Sequence, residues 1–154
     1  MKENLLTIEN LHVQYNTDDA VVHALNGLSL TLKRGESLGV VGETGAGKTT
    51  MALSVLQLLP NKVGEITRGN INYGDIDIIT ASNHTMQDIR GAKIAMIFQD
   101  PMSSLNPILT VGDQIMEVLE LHFKDMSRED KERRVDEILE LVGIQKNRRG
   151  DFPH

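Results

Sequence analysis

Gly42, four residues, then Gly47-Lys48-Thr49 gives this chain the pattern G-x-x-x-x-G-K-[ST], inside the stretch Gly42-Glu43-Thr44-Gly45-Ala46-Gly47-Lys48-Thr49-Thr50. Each residue type at that spacing has a physical task in holding a chain of phosphates. The glycines admit positive φ, so consecutive amides can bend round an anion and point into one nest. The Lys48 ammonium is a point charge within reach of β- and γ-phosphates, and the Thr49 hydroxyl can take one coordination position of Mg2+. A helix opening here adds the positive end of its dipole, about half an elementary charge. The same residues also admit a plainer reading, a glycine-rich turn between a strand and a helix.

Such a loop needs a strand before it and a helix behind it. Leu38 to Val41 is apolar apart from Gly39, which predicts a strand covered on both faces in a parallel sheet. Thr49 to Leu59 carries good helix formers and Pro60-Asn61 ends the run. Upstream, Leu5 to Tyr15 and Leu25 to Lys33 alternate apolar and polar positions, the period of half-buried strands, and Lys33 to Glu36 reads as a turn. Downstream, Gly69 to Asp75 predicts a short strand with a turn, and Thr85 to Arg90 a short helix in which Thr85 and Asp88 have capping-box spacing. Lys93 to Phe98 is a second apolar run suited to a buried parallel strand. That would put Gln99 at the carboxyl edge of the sheet, where open α/β folds bind ligands, although a glutamine at a strand end is more often a surface hydrogen-bonder.

Beyond Asp100 the character changes. Pro101 and Pro107 bracket an irregular segment, Met102 to Asn106. Thr110 then caps a helix with Val111, Ile115, Leu119 and Phe123 on one side. Ser127 and Asp130 open another, with Val135, Ile138, Leu139 and Val142 as its apolar stripe and Gly143 as its stop. There is no internal repeat and no low-complexity tract.

A chain of 154 residues suits one domain or a large piece of one. Its composition, 40% hydrophobic and 25% charged, is that of an ordinary globular protein, and no stretch approaches the ~18 apolar residues of a membrane span. The N-terminus offers no apolar region of secretory type, so none is expected to be cleaved. Without cysteine there are neither disulfides nor thiolate metal sites, and the five histidines lack ligand spacing. A net charge of -6 argues against a nucleic-acid surface. Met96, Met102 and Met116 read as core or interface filler, and Arg133-Arg134 and Arg148-Arg149 as solvated helix faces or ends.

The loop Gly42 to Thr50, the alternating segments before it and above all Arg90 to Pro107, RGAKIAMIFQDPMSSLNP, resemble the ATP-binding cassette (ABC) ATPases over nearly the whole chain. Within them, IFQDPMSSLNP followed by TVGDQI is similar to the ATPase subunits of oligopeptide and dipeptide importers, including relatives that carry nickel. The resemblance implies an α/β P-loop NTPase fold in incomplete form: an N-terminal antiparallel β part, the start of a parallel core sheet and the start of a helical subdomain. Residues 1–99 would be the β part and P-loop core, and 100–154 the start of the helical subdomain. It implies ATP and Mg2+ as ligands, with Gly42, Glu43, Thr44, Gly45, Ala46, Gly47, Lys48, Thr49 and Thr50 on the nucleotide. Lys48 and Gln99 would be catalytic, Thr49 and Gln99 would attend the metal, and Tyr15 would stack on adenine. Read without the resemblance, Tyr15 is a strand-end tyrosine packing on a core.

In the resembled family a segment like Phe152-Pro153-His154 stands just before the signature L-S-G-G-x. These 154 residues contain neither that signature nor the acidic strand end, its glutamate and the switch histidine. The expectation is therefore nucleotide binding with little hydrolysis, and self-association through apolar surface left uncovered. The partners implied are a transmembrane permease, contacted near Gln99 to Leu121, and a second ATPase subunit, at the inner face of the cell membrane. A soluble ATPase of the same family acting in DNA repair or translation is the competing reading, and Asp100 to Pro107 speaks against it.

Overall fold

The computed structural model describes residues 3–100 and 104–154. They form two compact units, Met1–Met96 and Ile97–His154. Of the residues singled out above, Pro101, Met102 and Ser103 lie outside the described ones.

The first unit is built on a four-stranded antiparallel sheet. Strand β1 (Asn4–Asn16) pairs with β2 (Val21–Lys33) on one side and β3 (Gly64–Tyr73) on the other, and β4 (Ile76–Asp77) closes the order β2-β1-β3-β4. Both alternating segments are thus strands. The alternation in β1 changes phase midway: Ile8 is buried, and then Leu11 and Val13 are. A bulge accounts for it, because Asn10 has φ 46° and the register with β2 shifts between Ile8 and Leu11, turning the odd residues inward. Gly69 of β3 passes against this bulge so closely that a Cβ there would lie 2.5 Å from the Asn10 carbonyl oxygen. Helix α1 (Lys48–Val55) and α2 (Asn83–Ile89) pack on the sheet, and Ile8, Leu11, Val13, Leu25, Ile71 and Ile78 meet Val55, Met86 and Ile89 in one core.

Three expectations are corrected here. The run Leu38 to Val41 is not a strand; its side chains are exposed, Val41 at 94%. Lys93 to Phe98 is not one either: it makes only an isolated bridge, Arg90 to Ile94, and Ile97 is 92% exposed. A parallel strand covered on both faces needs a neighbour along each edge, and among the described residues no strand pairs with these two. Finally, α2 starts earlier than Thr85, with Ser82 as N-cap accepting from the Thr85 amide.

Helix α1 also stops before Leu59. Gln57 takes a left-handed conformation (φ 50°), its amide donates to Ser54 O (3.1 Å), and the Leu58 amide returns to Leu53 O (2.8 Å), the double closure of a Schellman end.

In the second unit α3 (Val111–His122) and α4 (Arg128–Leu141) precede a 3-10 turn at Lys146–Gly150. Thr110 and Ser127 cap them as the sequence implies, each hydroxyl accepting from the amide three residues on. Leu119, Val135 and Leu139 form a small core with Val111, Ile115 and Met116 against it. Phe123 and Val142 fall past their helix ends and stay exposed, and Gly143 (φ 81°) closes α4. The arginine pairs of this unit make exposed ion pairs, Arg133 with Asp130 and Arg148 with Asp151, that add little stability. Among the described residues no helix is long and apolar enough to cross a membrane.

Candidate functional site

The loop Gly42–Thr50 leads straight into α1, whose first residue is Lys48. Three of the four helices, α2, α3 and α4, carry a Ser or Thr N-cap whose oxygen accepts a first-turn amide. At α1 the N-cap is Gly47, with φ 82° and no side chain to accept anything. The first intrahelical bond runs from the Met51 amide to Gly47 O (2.9 Å), so the amides of Lys48, Thr49 and Thr50 precede any acceptor the helix can offer. An anion placed there would satisfy them and meet the positive end of the helix dipole.

Side chains set the rest of the geometry. Lys48 turns back over the loop, and its Nζ donates to the carbonyl oxygens of Gly42 (2.6 Å) and Glu43 (2.7 Å). The loop is braced from within by Ala46 N to Glu43 O (3.1 Å). Thr49 points to solvent on the exposed side of the turn, while Thr50 is buried. The Thr50 hydroxyl is 3.1 Å from Tyr15 Oη, and its carbonyl accepts from Ser54 Oγ (2.7 Å). Gly47 lies so close to β2 that a Cβ would be 2.6 Å from the Ala24 carbonyl oxygen. The loop is therefore seated on β1 and β2 at its helical end and open at Gly42 to Ala46.

Of the residues the sequence nominates, the structure brings Gly42 to Thr50 into one turn and puts Tyr15, half-buried near the end of β1, against Thr50. Gln99 is an exposed bend residue of the second unit, outside any strand. Sequence reasoning missed Arg90, which reaches the far end of α1: its Nε donates to Leu56 O (2.7 Å) and Nη2 to Gln57 O (3.1 Å). The one signal that could have pointed to it is that α1 has no basic residue in its last turn.

The set of groups fits a magnesium-bound polyphosphate. Three first-turn amides without a side-chain cap and the Lys48 ammonium would supply donors and positive charge, and an exposed hydroxyl at Thr49 would supply an oxygen ligand.

The chain is similar to proteins of one family. The family model described as ABC transporter matches residues 25–152. The dipeptide transport ATP-binding protein DppD of Bacillus subtilis is 43% identical over 154 residues, covering 99% of this chain and 46% of that protein. The oligopeptide transport ATP-binding protein OppD of the same organism is 42% identical over 152 residues, covering 97% of this chain and 42% of that protein. The chain thus spans less than half the length of these relatives. Among solved structures, the dimeric bacterial ABC transporter cassette MJ0796 superposes with a TM-score of 0.79 at 25% identity, covering 96% of this chain and 61% of the cassette. With a family match across most of its length and the backbone of a solved cassette, this chain belongs to the ABC transporter family, as an α/β portion of its ATPase.

Proposed function

We propose that these residues bind Mg-ATP through the loop Gly42–Thr50, as the nucleotide-binding part of an ATPase subunit that powers import of dipeptides or oligopeptides. The observation that carries the reading is the uncapped first turn of α1 with the Lys48 ammonium held over the loop. When bound, Mg2+ would neutralise phosphate charge and orient the terminal phosphate. The chain's own residues do the positioning. Amides of Lys48 to Thr50 would donate to phosphate oxygens, the Lys48 ammonium would exchange its two carbonyl acceptors for them, and Thr49 Oγ1 would supply an oxygen ligand to the cation. Tyr15, joined to Thr50, would offer its ring to the adenine, and Gln99 is the residue that the family resemblance would assign to the metal and the water.

The peptide class rests on the names of the relatives, transport of dipeptides for one and of oligopeptides for the other. The subunit would work with a transmembrane permease, contacted near Gln99 to Leu121, and a second ATPase subunit at the inner face of the membrane. Residues 1–99 would be its β part and phosphate-loop core and 100–154 the start of its helical part. Hydrolysis coupled to import is the activity of that whole assembly.

Isothermal calorimetry tests the core of the reading. The 154-residue chain should take up Mg-ATP, and Lys48→Ala should weaken it roughly ten- to a hundredfold, the loss of charge-assisted bonds worth about 1.5–3 kcal/mol. Equal affinity in the two proteins would refute the assignment.

A further inference from the structure

We infer that Arg90 is a positioning residue for the phosphate loop, acting on it through the opposite end of α1. The inference rests on the proposed nucleotide site and adds a residue to its machinery.

Helix α1 has eight residues, about 12 Å from end to end, so whatever fixes its C-terminus also fixes the amides at its N-terminus. That C-terminus is irregular. Gln57 is held left-handed without being glycine, and the helix supplies no cation of its own to its terminal carbonyls. Two side chains compensate, in opposite directions. Gln57 Nε2 leaves α1 and donates to the carbonyls of Ile78 and Ala81, in the segment between β4 and α2. From beyond α2 comes the half-buried Arg90, whose fork spans the carbonyls of Leu56 and Gln57. Arg90 is itself well anchored. Its amide donates to Met86 O (2.9 Å), and Met86 and Ile89, on the same short helix, are in the core.

A guanidinium at this place does two things that no apolar residue could. Its charge meets the negative end of the helix dipole, and its planar donors fix the direction of two carbonyls at once. Lysine would keep the first and lose the second. The loop's other supports, Gly47 against β2 and Thr50 against Tyr15, hold only the N-terminal turn. Without Arg90, Val55 in the core and the bonds of Gln57 to Ile78 and Ala81 would be left to steady the C-terminal end.

The test uses the 154-residue chain as wild type, Arg90→Met and Arg90→Lys, with Mg-ATP calorimetry, thermal melting and amide hydrogen exchange. Arg90→Met should bind Mg-ATP roughly five- to tenfold more weakly, the ordinary size of coupling between a site and a distant support. It should speed exchange across residues 44–55 while leaving β1 and β3 protected as in wild type. Arg90→Lys, which retains the stem and the charge, should recover about half of that loss on a logarithmic scale and remain testable if the methionine variant does not fold. Arg90→Met binding like wild type, or exchange rising uniformly over the sheet as well, would overturn the inference. Should the wild-type chain take up no Mg-ATP, the proposed function fails instead; exchange confined to residues 44–55 would still support Arg90 as the brace of α1, and unchanged exchange would refute it.

Discussion

Replacing Gly47 by alanine separates two physical demands placed on one residue. At φ 82° an alanine Cβ costs about 1–2 kcal/mol in backbone sterics alone. The second demand is space: the added carbon would lie 2.6 Å from the Ala24 carbonyl oxygen and 2.6 Å from Leu25 Cδ2. Leu25 is a core residue and Ala24 belongs to β2, so neither can retreat without disturbing the sheet; overpacking of this kind costs about 1–3 kcal/mol more. Gly45 provides the matched comparison, since it has φ 87° and nothing within 4 Å of an added Cβ. Gly39 has neither demand and serves as the control. The expected losses are therefore about 2–5 kcal/mol for Gly47→Ala, about 1–2 for Gly45→Ala, and within about 0.5 of wild type for Gly39→Ala. The assay is built into the sequence, because there is no tryptophan and both tyrosines, Tyr15 and Tyr73, lie in the first unit. Tyrosine fluorescence during thermal melting thus follows that unit alone. At about 4–8 °C per kcal/mol for a unit of this size, Gly47→Ala should melt at least about 4 °C below Gly45→Ala. Coincident midpoints for those two variants would refute the packing of α1 against β2.

Two further outcomes follow from the same structure. Tyr15→Phe should leave the buried Thr50 hydroxyl without its partner and cost about 1–2 kcal/mol, read from the fluorescence of Tyr73; an unchanged midpoint would dissolve the link between β1 and α1. In the second unit, the hydrogen bond from Ser127 and then the Arg133 guanidinium hold the Asp130 carboxyl below its ordinary 3.8. A lowered carboxylate stabilises the fold above its ordinary value and ceases to do so as pH falls through the lowered one. Asp130→Asn should thus reduce the helical melting midpoint at neutral pH, and the gap from wild type should narrow as the pH falls through and below 3.8; a gap unchanged by acid would contradict the assignment.

What could be read from the chain depended on how far away the deciding atoms lay. Thr110 and Ser127 were legible as caps because the amides they serve are three residues on, and the two long strands because their alternation is local. At α2 the capping-box spacing of Thr85 and Asp88 competes with Ser82, which also stands three residues before a suitable amide and is the cap that forms. Leu38 to Val41 and Lys93 to Phe98 have strand-like composition, but a buried parallel strand is made by its neighbours, and composition cannot supply them. The phase change at Asn10 was illegible for a similar reason: it needs Gly69 from a strand some sixty residues later to pass behind it. In the candidate site, the loop is nominated by spacing alone, whereas Arg90 acts on carbonyls, for which the lack of a basic residue in the last turn of α1 is only an indirect sign.

The grip of Lys48 on the carbonyls of Gly42 and Glu43 also bears on ligand choice. A cation already satisfied by two neutral dipoles gives them up only to something that attracts it more strongly. On the proposed reading, a singly charged visitor would gain little from that exchange, whereas a triphosphate would offer several anionic oxygens at once, so the resting contact would act as a threshold on charge. If the loop keeps these internal bonds until a nucleotide arrives, little ordering would remain to be done on binding.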